Sequence, residues 1–199
     1  MLNGNQIGDI GVSAFASACA NGAMANLKYL YLFWNQIDDS GMISLCEAFA
    51  VGALANLTHL ALWSNQIGDV GVSALAGACA NGAMTKLTIL NLSFNQIGDV
   101  GVSALAGACA NGSLPKLKRL WLDGNPIGDV AASALASACA NGALPSLHRI
   151  AVGYENDKNP QLVAACKARG VSIWSRFGVG LRSIWMTFGA MSLVKVLSG

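Results

Sequence analysis

With 199 residues, 54% of them hydrophobic and only 11% charged, the chain is far from the composition of a disordered segment. A formal charge of +2 is too small to point to nucleic acid, so none is expected as a partner. Gly, Asn and Asp interrupt every apolar run between Lys28 and Lys167, which leaves no stretch there like the roughly twenty apolar residues of a membrane-spanning helix. The opening residues have neither a basic nor an apolar leader segment, so no signal peptide is expected.

The chain starts in mid-repeat. Leu2 aligns with Leu32 and Asn5 with Asn35, and no polar capping segment precedes them. A repeat array exposes apolar surface at an uncapped end, so the expectation is a fragment or C-terminal module of a longer protein. Self-association through that end is the alternative. From Leu27 the pattern is complete. Leu27, Leu57, Leu87, Leu117 and Leu147 form one column at a period of thirty residues. Leu30, Leu60, Leu90, Leu120 and Ile150 form the next, and Leu32, Leu62, Leu92, Leu122 and Val152 a third. Asn35, Asn65, Asn95 and Asn125 close each copy, where an amide can satisfy backbone groups as the chain turns off a strand.

Each copy changes period part-way. In "LTHLALWSN" the leucines at 60 and 62 alternate with His59, Ala61 and Trp63, which predicts a strand with one buried face. In "GDVGVSALAGACANG" Val72, Leu75, Ala76 and Cys79 fall three or four apart, which predicts one face of a helix. Asp69 is placed to cap that helix, and Asn81-Gly82 to end it. Phe15 and Phe49 fall on core-facing helix positions. The stretch 65–82 returns letter for letter at 95–112. The last copy is degraded: Glu155 replaces the Asn, Cys166 takes the helix position that Cys46 used, Gly170 ends the helix, and Val171 to Trp174 form a closing strand. Residues 1–174 are therefore read as the repeat domain. Residues 175–199 match no repeat and are expected to cap the last one. A membrane-surface helix carrying Arg176, Arg182 and Lys195 is the alternative, and the only route to membrane contact; disorder is the third reading.

One strand and one helix cannot bury a common apolar face alone, so copies must stack. The L-x-x-L-x-L-x-x-N pattern resembles the leucine-rich repeat, and the "I-G-D-x-G-x-x-A-L-A-x-A-C" half is similar to its ribonuclease-inhibitor-like subtype, found also in the sensor regions of NOD-like receptors. The resemblance implies an α/β fold: a right-handed horseshoe solenoid with parallel strands on the concave face and helices on the convex face. It also implies a non-catalytic, cytoplasmic protein-binding module. The alternative is a sensor or regulatory segment of a larger receptor of the NOD-like type. Members inhibit ribonucleases, stimulate a GTPase or sense ligands, and none of their functional residues transfers to a position here.

The copies differ where the strands point outward. The columns read Tyr29, His59, Ile89, Arg119 and Arg149; then Tyr31, Ala61, Asn91, Trp121 and Ala151; then Phe33, Trp63, Ser93, Asp123 and Gly153; and last Trp34, Ser64, Phe94, Gly124 and Tyr154. Large outward aromatics usually mark an interaction surface, and Trp, Tyr and Arg are frequent interface hot spots. The expected protein-binding residues are Tyr29, Tyr31, Phe33, Trp34, His59, Trp63, Phe94, Arg119, Trp121, Asp123, Arg149 and Tyr154. Aromatics stacking along the sheet to stiffen it would be the plainer explanation. The second half adds Lys118, Arg119, His148 and Arg149 against Asp123, which suits a partner with an acidic patch, although solvated charge alone would look the same.

Other chemistry finds no support. Asp9, Asp69, Asp99 and Asp129 resemble a carboxylate array, but equal spacing makes them successive helix caps. Ser73, Ser103 and Ser133 form a helix column without a histidine in the pattern, and the glycines of "NQIGDVGV" lack the Lys and Ser/Thr of a phosphate loop. Six cysteines at 19, 46, 79, 109, 139 and 166 include no Cys-x-x-Cys, and His59 and His148 are distant, so neither zinc nor a cofactor is expected. Equivalent residues of stacked helices lie roughly 8–10 Å apart. A disulfide needs Cα atoms within about 7 Å. Buried free thiols in a reducing compartment are the expectation. The glycosylation triplets at Asn56, Asn91 and Asn111 are read as chance.

Overall fold

The computed structural model describes residues 2–153 and 156–174. Helix and strand alternate: α1 (Gly8–Ala20), β1 (Tyr29–Tyr31), α2 (Asp39–Ala50), β2 (His59–Ala61), α3 (Asp69–Ala80), β3 (Ile89–Asn91), α4 (Asp99–Ala110), β4 (Arg119–Trp121), α5 (Asp129–Ala140), β5 (Arg149–Ala151), a 3-10 turn (Asn156–Lys158), α6 (Pro160–Ala168) and β6 (Ser172–Ile173). The strands form one open parallel sheet in chain order, β1 to β6. Pairing keeps the thirty-residue offset from Tyr29↔His59 through Arg119↔Arg149, then drops to 23 at Arg149↔Ser172, because the closing repeat is shorter. Strands line the concave side and helices the convex side of a solenoid.

The three apolar columns are its core. Leu57, Leu60 and Leu62 are fully buried, as are Leu87, Leu90 and Leu92, and Leu117, Leu120 and Leu122. Each such leucine contributes about 1.5–3 kcal/mol by leaving water. From the helix side Val72, Leu75 and Cys79 close on them, with Phe49 filling the larger space between α2 and its neighbours. The helices end as expected: α3 stops at Ala80, Asn81 is its C-cap residue and Gly82 follows at φ +89°, its N–H on the Cys79 carbonyl.

The asparagines form a ladder between copies. Asn65 Oδ1 accepts the N–H groups of Asn35 (3.0 Å) and Ile37 (3.1 Å), while its Nδ2 donates to the carbonyls of Leu32 and Leu62. Asn35, Asn95 and Asn125 repeat the arrangement one copy away. In the last copy Asn156, buried, sends Nδ2 to the Ile127 carbonyl at 2.6 Å. The equivalent carbonyls of Ile37 and Ile67 take the backbone N–H of Gln66 and Gln96.

The aspartate assignment needs correction. Asp69 is the first residue of α3, Gly68 occupies the cap position, and no side chain of α3 itself caps that end. The carboxylate instead reaches the following copy, accepting from Gly98 N and Gly101 N at 2.8 Å each. Asp39 does the same for Gly68 and Gly71, and Asp99 for Gly128 and Ala131. Asp9 accepts from Asp38 N, and Asp129 from the Asn159 amide. Asp39, Asp69 and Asp99 cap the next helix rather than their own, because stacking brings the orphan N–H groups of one copy beside the first turn of the copy before it. Asp38 alone among these residues caps its own helix, accepting from Ser40 N at 2.7 Å.

Candidate interaction surface

The N-terminal half of the concave face is a packed aromatic patch. Phe33 stacks on Trp63 with ring centroids 4.4 Å apart and planes 15° from parallel, and Trp34 meets Trp63 edge-on at 5.0 Å. Tyr29 lies 4.6 Å from the His59 ring and 6.4 Å from Tyr31. Parallel pairing at a fixed offset puts same-face side chains of neighbouring strands opposite one another, so the rings meet. Tyr29 keeps 54% of its surface exposed. His59 Nδ1 shares a hydrogen bond with Thr58 Oγ1 (2.9 Å), and burial, then the charge of Arg119, holds its pKa below the ordinary 6.5. Both effects favour the neutral imidazole.

The C-terminal half is basic. Arg119 and Arg149 are exposed and sit opposite each other on β4 and β5. Trp121, half-buried, packs edge-on at 5.7 Å against Trp174, and the Arg149 guanidinium lies 5.9 Å from the Trp174 ring centroid. Trp174 was absent from the expected set: it follows β6, whose offset of 23 takes it out of the thirty-residue columns. The aromatic character of "VSIW" was the available signal.

Some expected residues stand elsewhere. Asp123 is only 2% exposed; Ser93 Oγ donates to its Oδ1 at 2.6 Å, and both residues are drawn into the layer beneath the face. It is a buried acceptor, not a displayed charge. Trp34, Ser64 and Phe94 have φ between +55° and +57°, so this column turns the chain off the strand instead of continuing the outward alternation. Its fourth member is Gly124, at φ +74°, where a Cβ would collide with the Phe94 ring. Phe94 thus seats on glycine backbone. Ala151 is fully buried, and Tyr154 lies outside the described residues.

The convex side offers different features. A groove of ≈ 400 Å³ between α1 and α2 is lined by Ser13, Ala16, Ser17, Ala20, Ser44, Glu47, Ala48 and Val51, with Glu47 its sole ionisable group. Val70, Val100 and Val130, each the second residue of its helix, stand 61%, 67% and 66% exposed in one period-thirty line, with Ile10 of the first copy 89% exposed and Ser40 between them. Sequence reasoning passed over this ridge because these positions lie off the core-facing helical stripe. Among the described residues no group of three or more His, Cys, Asp or Glu side chains could hold a metal ion, and no helix is long and apolar enough to cross a membrane.

The profile of the Leucine Rich repeat family matches residues 2–16, 23–46, 53–76, 83–106 and 113–136, more than half of the chain. This chain is a leucine-rich-repeat protein. Each full match covers the loop, the strand and the first two turns of a helix, the part of the leucine-rich repeat that carries the leucine and asparagine columns. No curated protein matches. Among solved structures the protein is similar to an internalin (inlF) from Listeria monocytogenes, at 20% identity and a TM-score of 0.41. That alignment covers 85% of this leucine-rich-repeat chain and 51% of the internalin, so the chain spans about half of that protein's length.

Proposed function

We propose that this leucine-rich-repeat protein is a non-catalytic binding module that holds a protein partner on its concave face. The observation that carries this reading is the division of labour between copies. Residues 65–82 and 95–112 are identical and build core, ladders and helix ends, while the strand positions ahead of them change from His59, Ala61 and Trp63 to Ile89, Asn91 and Ser93. An aromatic patch already packed ring on ring loses little side-chain freedom when a partner lands on it. The neighbouring Arg119 and Arg149 favour a partner bearing an acidic patch beside an apolar knob. The contact set is Tyr29, Tyr31, Phe33, Trp34, His59, Trp63 and Phe94 in the first half, and Arg119, Trp121, Arg149 and Trp174 in the second. Asp123 acts beneath the surface. Helices of twelve residues on the convex side of a thirty-residue repeat support the ribonuclease-inhibitor-like subtype. Six unpaired buried thiols support a reducing, cytoplasmic setting.

The test is affinity capture from the source lysate with wild type, with Trp34→Ala/Trp63→Ala/Trp121→Ala, and with Arg119→Glu/Arg149→Glu, each checked by circular dichroism. A protein held by wild type and lost by both variants supports the concave reading. A protein retained equally by all three moves the site to the convex side.

A further inference from the structure

Arg119 and Arg149 are register partners on β4 and β5, and both are exposed. Adjacent strands lie about 4.8 Å apart, so two full positive charges stand side by side, an arrangement that costs stability unless an anion sits between them. Among the described residues of the strand columns the one carboxylate is Asp123, and it is buried against Ser93. The surface beside the arginines is aromatic. Ala151, the register partner of Trp121, is fully buried where the Trp121 and Trp174 rings meet edge-on at 5.7 Å. The Arg149 guanidinium lies 5.9 Å from the Trp174 centroid, and Trp174 keeps 46% of its surface exposed. We propose that this corner of the concave face binds a phosphorylated tyrosine side chain of the protein partner, with the phosphate between Arg119 and Arg149 and the ring against Trp121 and Trp174. The assignment rests on the concave binding role proposed above and names the chemistry of its second half.

The anion follows from counting charges and oxygens. A carboxylate has one charge and two oxygens, which a single guanidinium fork satisfies, so the second arginine gains little. A phosphate monoester brings about −1.5 to −2 charge at pH 7 and three acceptor oxygens to one point, enough for both guanidiniums. A phosphodiester, as in nucleic acid, has one charge and two free oxygens and falls short as the carboxylate does. The Trp174 ring already holds the Arg149 guanidinium by a cation–π contact, so less side-chain freedom is lost on binding. Aromatic pairs gain more than the area they bury, which favours an aryl phosphate over the phosphate group alone.

The experiment is titration of the full chain with phenyl phosphate at pH 7.5, followed by amide chemical shifts and tryptophan fluorescence. Phenylacetate, inorganic phosphate and a short oligothymidylate are run beside it. The expected result is saturable shifts centred on residues 119–121, 149–151 and 172–174. Phenyl phosphate should bind about tenfold or more tighter than each of the other three, and Arg119→Gln or Arg149→Gln should each weaken it about tenfold. The wild-type shift map stands whether or not either variant folds. Equal or tighter binding of any of the other three probes, shifts centred elsewhere, or no saturation would overturn the proposal. The concave reading survives that failure if a captured protein is still lost by Arg119→Glu/Arg149→Glu and by the tryptophan variant. Capture of the same protein by all three chains removes the concave reading itself.

Discussion

Asp69 lies in the first turn of α3 and directs its carboxylate at α4, so the cost of losing it should appear one copy downstream. Asp69→Ala leaves Gly98 N and Gly101 N without their acceptor and should cost about 1–2 kcal/mol, read by urea unfolding, with faster amide exchange at residues 98–101 and little change at 68–71. The reverse pattern would restore the own-helix cap. The glycine opposite each carboxylate matters too. A Cβ on Gly101 would stand 2.8 Å from Asp69 Oδ1, and the fifth copy carries Ala131 at that position. There the Asp99 bond lengthens to 3.2 Å, against 2.8 Å at Gly71 and Gly101. The cysteines supply a pH dependence. Burial, more than neighbouring charge, pushes the thiols of Cys46, Cys79 and Cys109 from 9.0 up to about 12. A folded pKa above the unfolded one means stability fully present below pH 9.0 and lost as pH rises from there through 12. The loss should approach about 1.4 kcal/mol per pH unit for each thiol. Unfolding at pH 8, 9.5 and 10.5 should show a shallower alkaline decline for Cys79→Ala/Cys109→Ala than for wild type. Equal slopes would remove the thiols from the account.

At the scale of the element, the turn after each strand carries the highest density of buried polar groups. Asn95 bonds the Ile67 N–H and the carbonyls of Leu62, Leu92 and Ser93, so Asn95→Leu leaves several buried backbone groups unsatisfied. About 3 kcal/mol or more should be lost, at roughly 1–3 kcal/mol for each orphaned group. Asn95→Asp keeps the acceptor but loses the amide donor, and should fall between. The same denaturation series run on Gly82→Ala should show about 1 kcal/mol, since φ +89° is open to glycine and costly to alanine although space for the methyl exists. A ranking with Gly82→Ala above Asn95→Leu would contradict the ladder's importance.

For the whole molecule, repetition means that stability is close to a sum of copies and the contacts between them. Excising residues 65–94 joins Ser64 to Asn95 and recreates the junction already present at Asn65, because the identical stretches present the same packing surface. The shortened chain should fold with unchanged circular dichroism per residue and reduced stability. Collapse to an unfolded chain would mean that the copies are not interchangeable. The concave face behaves in the opposite way: Arg119→Glu/Arg149→Glu should leave melting nearly unchanged, since both side chains are exposed.

Core columns, helix C-terminal ends and the parallel sheet were legible in the chain because each is a local or strictly periodic property. Leucines two apart choose one face of a strand, and a thirty-residue period leaves stacking as the only way to bury it. Much of the candidate surface was legible for the same reason, in Tyr29, Trp63 and Arg119. Only the tertiary structure decided which copy each polar group serves. Asp69 acts on the next helix, and Asp123 sinks against Ser93. Phe94 finds a seat on Gly124, and Trp174 enters from outside the period. Each depends on the distance between neighbouring copies, which sequence spacing does not encode. Where the closing repeat shortens, the helix end meets the previous copy differently, and Arg169 donates to the Cys139 carbonyl.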